Sequence, residues 1–250
     1  MASIFGLHTT AEEVANALAR EIEGKNILIT GTSIYRIVFE AARVLARYAS
    51  HVVITGYNAK RLQLSEDAIK KEIPSANIRK LTLDLSPLAA VRAAAEEVNA
   101  YSEPPHPPPS ARSKRPSTTS SSRSDGDEPH RTVPLHEPAR PATPAYTSRV
   151  IFVASMAHNF CDDSKSANVM TAVELSRRSH GKIKAYSLHP GLIFTNINRE
   201  EDTLDAFAEY GILAADGGPN LANEWKTIPE GSATTVVAAF DPSLATRLIP

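Results

Sequence analysis

A parallel β-sheet covered by helices on both faces is the fold class this sequence predicts, and three observations predict it. Short continuous runs of Val, Ile and Leu recur along the chain, the pattern of strands buried on both faces. Segments with helical apolar spacing separate them. The connections are too long for hairpins, so successive strands are joined by crossovers and run parallel.

Each element follows from local sequence. Thr10-Ala11-Glu12-Glu13 fits a capping box, and Val14, Leu18 and Ile22 follow at helical spacing, which predicts an amphipathic helix over 11–23. Gly24 suits its C-terminal stop. The run Asn26-Ile27-Leu28-Ile29 is the first strand, followed by a helix over 37–48 and a second strand over 51–55. A helix over 60–72 stops near Pro74, and residues 78–84 form a third strand. The Ala-rich stretch 87–101 is helical. Beyond it, residues 149–155 read as another buried strand, 165–179 as a helix, 183–188 as a strand and 231–240 as a last helix.

Between the two halves the chain changes character. Residues 102–148 hold eleven of the 18 prolines and nine serines, and their large apolar residues are Val133, Leu135 and Tyr146. Such a stretch cannot bury enough surface to offset roughly 1–2 kcal/mol of backbone entropy per ordered residue. We read it as a disordered Pro/Ser-rich segment; Pro104 to Pro109 also fits a proline-docking ligand. The expected organisation is therefore one domain in two halves, 1–101 and 149–250, interrupted at 102–148.

Composition bounds the function classes. Twenty-seven Lys and Arg against 28 Asp and Glu leave a net charge of −1, which gives no reason to expect nucleic acid or an anionic membrane as partner. The single cysteine, Cys161, excludes an intrachain disulfide and fits a reducing compartment. No apolar run approaches the about 18 residues a spanning helix needs, and Met1–Thr10 lacks the charged and apolar regions of a secretory signal. The expectation is a soluble, cytoplasmic protein. No metal site is expected: Asp162 and Asp163 are adjacent acids without a third ligand and read as a solvated loop or helix cap.

Ligands in such sheets sit at the carboxyl ends of the strands. The first strand runs into Thr30-Gly31-Thr32-Ser33, a glycine turn opening a helix, which is the context for a phosphate on a helix N-terminus. Leu83-Asp84-Leu85 follows the third strand, Val153-Ala154-Ser155 ends the fourth, Lys165-Ser166-Ala167-Asn168 opens a helix, and His189-Pro190-Gly191 precedes Thr195. In this order the set resembles the short-chain dehydrogenase/reductase family, particularly its retinol-dehydrogenase-like branch, over about four fifths of the chain.

The resemblance implies a Rossmann-like fold, an NAD(P) cofactor and interconversion of an alcohol and a carbonyl. It places Thr30, Gly31 and Ser33 on the cofactor phosphates, Asp84 near the adenine, and Pro190, Gly191 and Thr195 beside the nicotinamide. Ser155 becomes the catalytic serine that hydrogen-bonds the substrate oxygen. Lys165 becomes the lysine that holds the ribose and lowers the pKa of a neighbouring acid. It also leaves open pairing with a second copy of the chain.

The sequence departs from the family pattern in four places. Cys161 stands four residues before Lys165, where the family has its tyrosine base. Only nine residues separate Ser155 from Lys165, where the family has roughly fifteen or more. Residues 35–38 are Tyr, Arg, Ile and Val where further glycines are expected, and side chains at Arg36 and Val38 predict weak dinucleotide binding. One central strand and its helix would fall inside 102–148. A shifted reading frame or a mis-spliced gene yields such a seam. An inactive remnant, acting at most as a binding or oligomer partner, is therefore the alternative to an enzyme.

Cofactor choice follows from charge. Between Ala41 and Ser65 there is no Asp or Glu to take a ribose 2′-hydroxyl, while Lys60 and Arg61 can take a 2′-phosphate. NADP is expected, with NAD the alternative. Cys161 is read as a bystander thiol, and His158 and His189 as structural.

Overall fold

The computed structural model describes residues 5–102, 148–155, 163–194, 207–214 and 216–246. Almost all of the Pro/Ser-rich segment, together with His158, Cys161, Asp162 and Thr195, lies outside the described residues, as do the side chains of Asp163 and Lys165.

Helices and strands alternate as expected. The order is α1 (Ala11–Ala17), α2 (Ala19–Ile22), β1 (Asn26–Ile29), α3 (Ile37–Leu45), β2 (His51–Gly56), α4 (Ala59–Glu72), β3 (Ile78–Thr82) and α5 (Leu88–Ala100). It continues with β4 (Ser148–Val153), α6 (Asp163–Arg178), β5 (Ile183–Leu188), β6 (Leu192–Ile193), β7 (Trp225–Lys226) and α7 (Ile228–Phe240), then a 3₁₀ turn over Pro242–Thr246. Thr10 and Glu13 form the expected capping box, and Gly24 takes the left-handed φ of +73° that ends the helical region. The single helix expected over 11–23 is broken at Leu18 into α1 and α2. At its other end the expected last helix gains three residues. Thr227 caps Glu230, Glu230 caps Thr227, and Pro229 sits in the first turn.

Among the described residues, every pair of named strands is parallel. β2 lies between β1 and β3, with Ile27 opposite Val52 and Val52 opposite Ile78; β4 pairs β5, with Val150 opposite Ala185. Both faces of β2 are buried. Val52 and Ile54 pack with Ala42, Leu62 and Ile69 of α3 and α4, whereas Val53 packs on the opposite face with Leu81, Ala94 and Val98. This is the doubly wound arrangement.

Burial on both faces was also expected of β1 and β4, and here the structure differs. Leu28 in the middle of β1 is 39% exposed, and β4 is half-buried along its whole length. The cause is topological: among the described residues β1 and β4 are each the last strand of their sheet, with no strand between them. Ile27 and Ile29 still reach a core, packing against Val14, Val44, Val236 and Phe240.

That core joins the halves. Helix α7, from the end of the chain, packs on α1 and α3 and also on β4 and β5. The buried Ser232 hydroxyl donates to the Ile37 carbonyl at 3.0 Å, and Arg149 of β4 donates to the Ala238 carbonyl at 3.1 Å. Arg43 forks onto Glu40 at 2.8 and 3.0 Å and reaches Glu12 and Glu72, tying α1, α3 and α4 together.

Candidate functional site

The parallel register brings the carboxyl ends of β1, β2 and β3 to one edge, which gathers the first group of expected residues. Thr30 and Gly31 leave β1; Gly31 has φ +73° and open space where a Cβ would stand. Thr32 anchors the turn, its amide donating to the Thr55 carbonyl at 2.8 Å and its hydroxyl to the Ile29 carbonyl at 3.4 Å. Ser33 follows, half-buried. Helix α3 then starts from Arg36 with no side-chain cap, so its first amides have no side-chain acceptor. Uncapped amides at a helix N-terminus attract an anion.

Among the residues standing where further glycines are expected, Tyr35 has a glycine-like backbone. Arg36 has ordinary extended backbone and Val38 lies inside α3. Tyr35 is the strained position, with φ +62° and its side chain 79% exposed. The loop thus keeps a glycine-like backbone while carrying a tyrosine.

Beside it, the end of β2 runs through Tyr57 into Asn58, which caps α4 by accepting from the Arg61 amide at 3.0 Å. Lys60 and Arg61 are exposed in the first turn of α4, and no carboxylate among the described residues pairs with either. At the end of β3, the Leu83 amide donates to the Gly56 carbonyl, and the exposed Asp84 accepts from the Ser86 amide at 2.9 Å. The Asp84 carboxylate therefore shapes its own turn.

The second group gathers at the ends of β4 and β5. The Ala154 amide donates to the Leu188 carbonyl at 2.8 Å, which carries Ser155 to the strand end. Asn168 of α6 donates to the Val153 carbonyl at 3.3 Å. Lys165 lies three residues before Asn168 in α6. In the turn after β5, His189 Nδ1 accepts from the Gly191 amide at 2.7 Å and so helps shape that turn. Pro190 is buried, and Gly191 has φ +98°.

Several residues at this end escaped sequence reasoning. Lys226 of β7 lays its stem across Gly191, with Cδ only 2.7 Å from where a Cβ would be. Trp225 meets Phe194 edge-on at 6.1 Å and 75°, and its indole N–H donates to the Asn220 carbonyl at 2.8 Å. Gly231 of α7 makes room for Ile193. Strands of two residues are too short to show an alternating pattern, so nothing in the sequence marked β6 or β7.

Among the described residues, no helix is long and apolar enough to cross a membrane. No family model matches the chain. It is similar to the chloroplastic short-chain dehydrogenase TIC 32 A of Brassica napus, 29% identical over 96% of this chain and 82% of the relative. The human WW domain-containing oxidoreductase is 26% identical over 94% of this chain and 62% of its own length. Among solved structures, a gluconate 5-dehydrogenase from Burkholderia cenocepacia, in complex with NADP and tartrate, superposes with a TM-score of 0.59. It is 18% identical and covers 91% of this chain and 92% of its own. These likenesses support the fold and the short-chain dehydrogenase/reductase family, and none singles out a retinol-dehydrogenase-like branch.

Proposed function

We propose that this short-chain dehydrogenase/reductase-like chain binds NADP(H) at the β1–α3 turn and interconverts an alcohol and a carbonyl. The observation that supports the proposal is the bond from Asn168, three residues after Lys165, to the carbonyl of Val153, two residues before Ser155. The residues present fit the cofactor. Gly31 leaves open space at a positive φ, the α3 amides lack a cap, and Lys60 and Arg61 offer unpaired charge where a 2′-phosphate would lie. The NADP held by the Burkholderia structure supports the same choice, with NAD as the alternative.

Thr30, Gly31 and Ser33 would hold the phosphates, Asp84 the adenine end, and Pro190, Gly191 and Thr195 the nicotinamide end. When bound, the cofactor supplies or accepts a hydride. Ser155 hydrogen-bonds the substrate oxygen, and Lys165 orients the ribose and favours the anion of a nearby acid. The chain reads as a protein of a reducing, cytoplasm-like compartment, on its single cysteine.

One observation favours a second reading, an inactive remnant that keeps at most a binding role. Cys161 occupies the place of the family's tyrosine, so the usual proton donor is missing. General acid–base help is typically worth about 10²–10⁴-fold, and turnover should be slow to that degree. The test is NADPH oxidation with a panel of aldehydes and ketones. A rate in the parent that disappears in Lys165→Ala and rises in Cys161→Tyr supports the enzyme. Equal background in all three chains leaves the remnant.

A further inference from the structure

We propose that His51 is a proton switch built into β2: the sheet holds while its imidazole is neutral, and mild acid loosens it. The ring is buried without a partner. His51 is 3% exposed, Nδ1 and Nε2 are both shut off from water, and neither has a hydrogen-bond partner among the described residues. Its backbone is held, since the His51 amide donates to the Lys25 carbonyl at 3.4 Å and register sets His51 opposite Asn26 of β1. Side chains alternate along a strand, so His51 shares the face of Val53, which packs with Leu81, Ala94 and Val98.

The groups on that face favour the neutral ring. From β3, Arg79 stacks its guanidinium 4.1 Å over the Tyr101 ring and adds positive charge. From α5, the Glu97 carboxylate already accepts from the Tyr101 hydroxyl at 2.9 Å, while Arg92 and Glu96 are exposed. From β1, the facing residue is the neutral Asn26. Burying a charge without a partner is costly, so a proton on this ring favours any state that opens the α5 side of β2 to water.

Position gives the ring its leverage. β2 is the middle strand of its sheet, paired with β1 on one side and β3 on the other. At its far end the Thr55 and Gly56 carbonyls accept from the Thr32 and Leu83 amides at 2.8 and 3.0 Å. Loosening β2 therefore reaches the β1–α3 turn and the end of β3.

In the unfolded chain an imidazole takes up its proton near pH 6.5, whereas carboxylates titrate near 4. The unfolded state then binds one proton more than the folded state below pH 6.5, and stability falls as pH falls. From this ring alone the unfolding constant should rise roughly 25-fold between pH 7 and pH 5. Urea unfolding of the full chain at pH 7, 6 and 5, without cofactor, compares the parent with His51→Leu and His51→Gln, neither of which titrates. The ratio of parent to variant unfolding constants should rise by about that 25-fold across the range in any variant that folds. A ratio that stays constant overturns the proposal, whatever the chain does with NADPH. Proton NMR of the folded parent gives a second reading that needs no folded variant. The His51 ring signals should keep their chemical shifts from pH 7 to pH 5.5, and a titration of that ring in the folded chain overturns the proposal.

Discussion

Asn168 reaches from α6 to the carbonyl of Val153, with its Nδ2 3.3 Å from that oxygen, and so pins the helix to the strand that delivers Ser155. The bond acts at both ends. It satisfies a carbonyl at the end of β4, and it orients the helix one turn after Lys165.

Replacing Asn168 by Ala should therefore remove roughly 1 kcal/mol of stability, the typical net worth of such a bond. Its more specific effect is on position. Any turnover should fall in kcat while KM and NADPH affinity stay near the parent values. A variant with parental kcat and a lower melting temperature would reduce Asn168 to a structural role.

Tyr35 gives the second prediction. A non-glycine residue in the left-handed region carries about 1–2 kcal/mol of strain, which glycine relieves. Tyr35→Gly should raise stability by about 1 kcal/mol, less the entropy glycine adds to the unfolded chain. It should also tighten NADPH binding by clearing the phosphate turn. Chemical denaturation and a titration on the same variant check both halves, and a loss of stability would show that the tyrosine packs usefully.

Acid sensitivity follows from the Arg43 network. Burial pushes the Glu72 carboxyl up, but hydrogen bonds and charge from Arg47 and Arg43 outweigh it and hold it below its ordinary 4.5. The same balance, with Lys70 and Lys80, lowers Glu66. A carboxylate lowered in the folded state adds stability above its unfolded pKa and loses it as pH falls through the folded value. The fold should therefore weaken below about pH 4.5, the ordinary value for these groups. Arg43→Met strands Glu40, whose side chain is only 10% exposed, and should cost about 1–3 kcal/mol at neutral pH. Its stability curve should also be flatter on the acid side. Melting curves from pH 3 to 7 compare the two chains.

At the other end of the sheet, Gly231 and Ile193 are the pair to test. A Cβ on Gly231 would clash with Ile193 Cδ1 and lie 2.9 Å from its Cγ1, so the Ile193 side chain must move. Gly231→Ala should destabilise by about 1–3 kcal/mol, as overpacking does. Because β6 also carries the approach to Phe194, Trp225 emission should change in the folded variant.

How far the sequence anticipated this depends on where local signals were strong. β1 and β5 fall on the predicted residues because their apolar runs end at turn formers on both sides. Helix α7 starts three residues before the predicted 231, at the capping signal that Thr227 and Glu230 carry. The edge gathering Gly31, Lys60, Arg61 and Asp84 was readable, since parallel strands bring their ends together whatever the side chains do. Exposure of Leu28 was not, because burial of a strand depends on neighbours distant in sequence. Nor was Lys226, which meets Gly191 only through a two-residue ribbon. Among residues 35–38, the backbone angle is what singles out Tyr35, and no spacing in the sequence shows that angle.

Titration calorimetry of the purified chain with NADPH and NADH tests the central claim most directly. If the β1–α3 turn and the Lys60–Arg61 pair form the site, NADPH binds and NADH binds about tenfold more weakly, the step expected when a charge-assisted phosphate contact is lost. Replacing Lys60 and Arg61 by Glu should then abolish the difference. No heat of binding with NADPH, or equal affinity for the two cofactors in the parent chain, would contradict it.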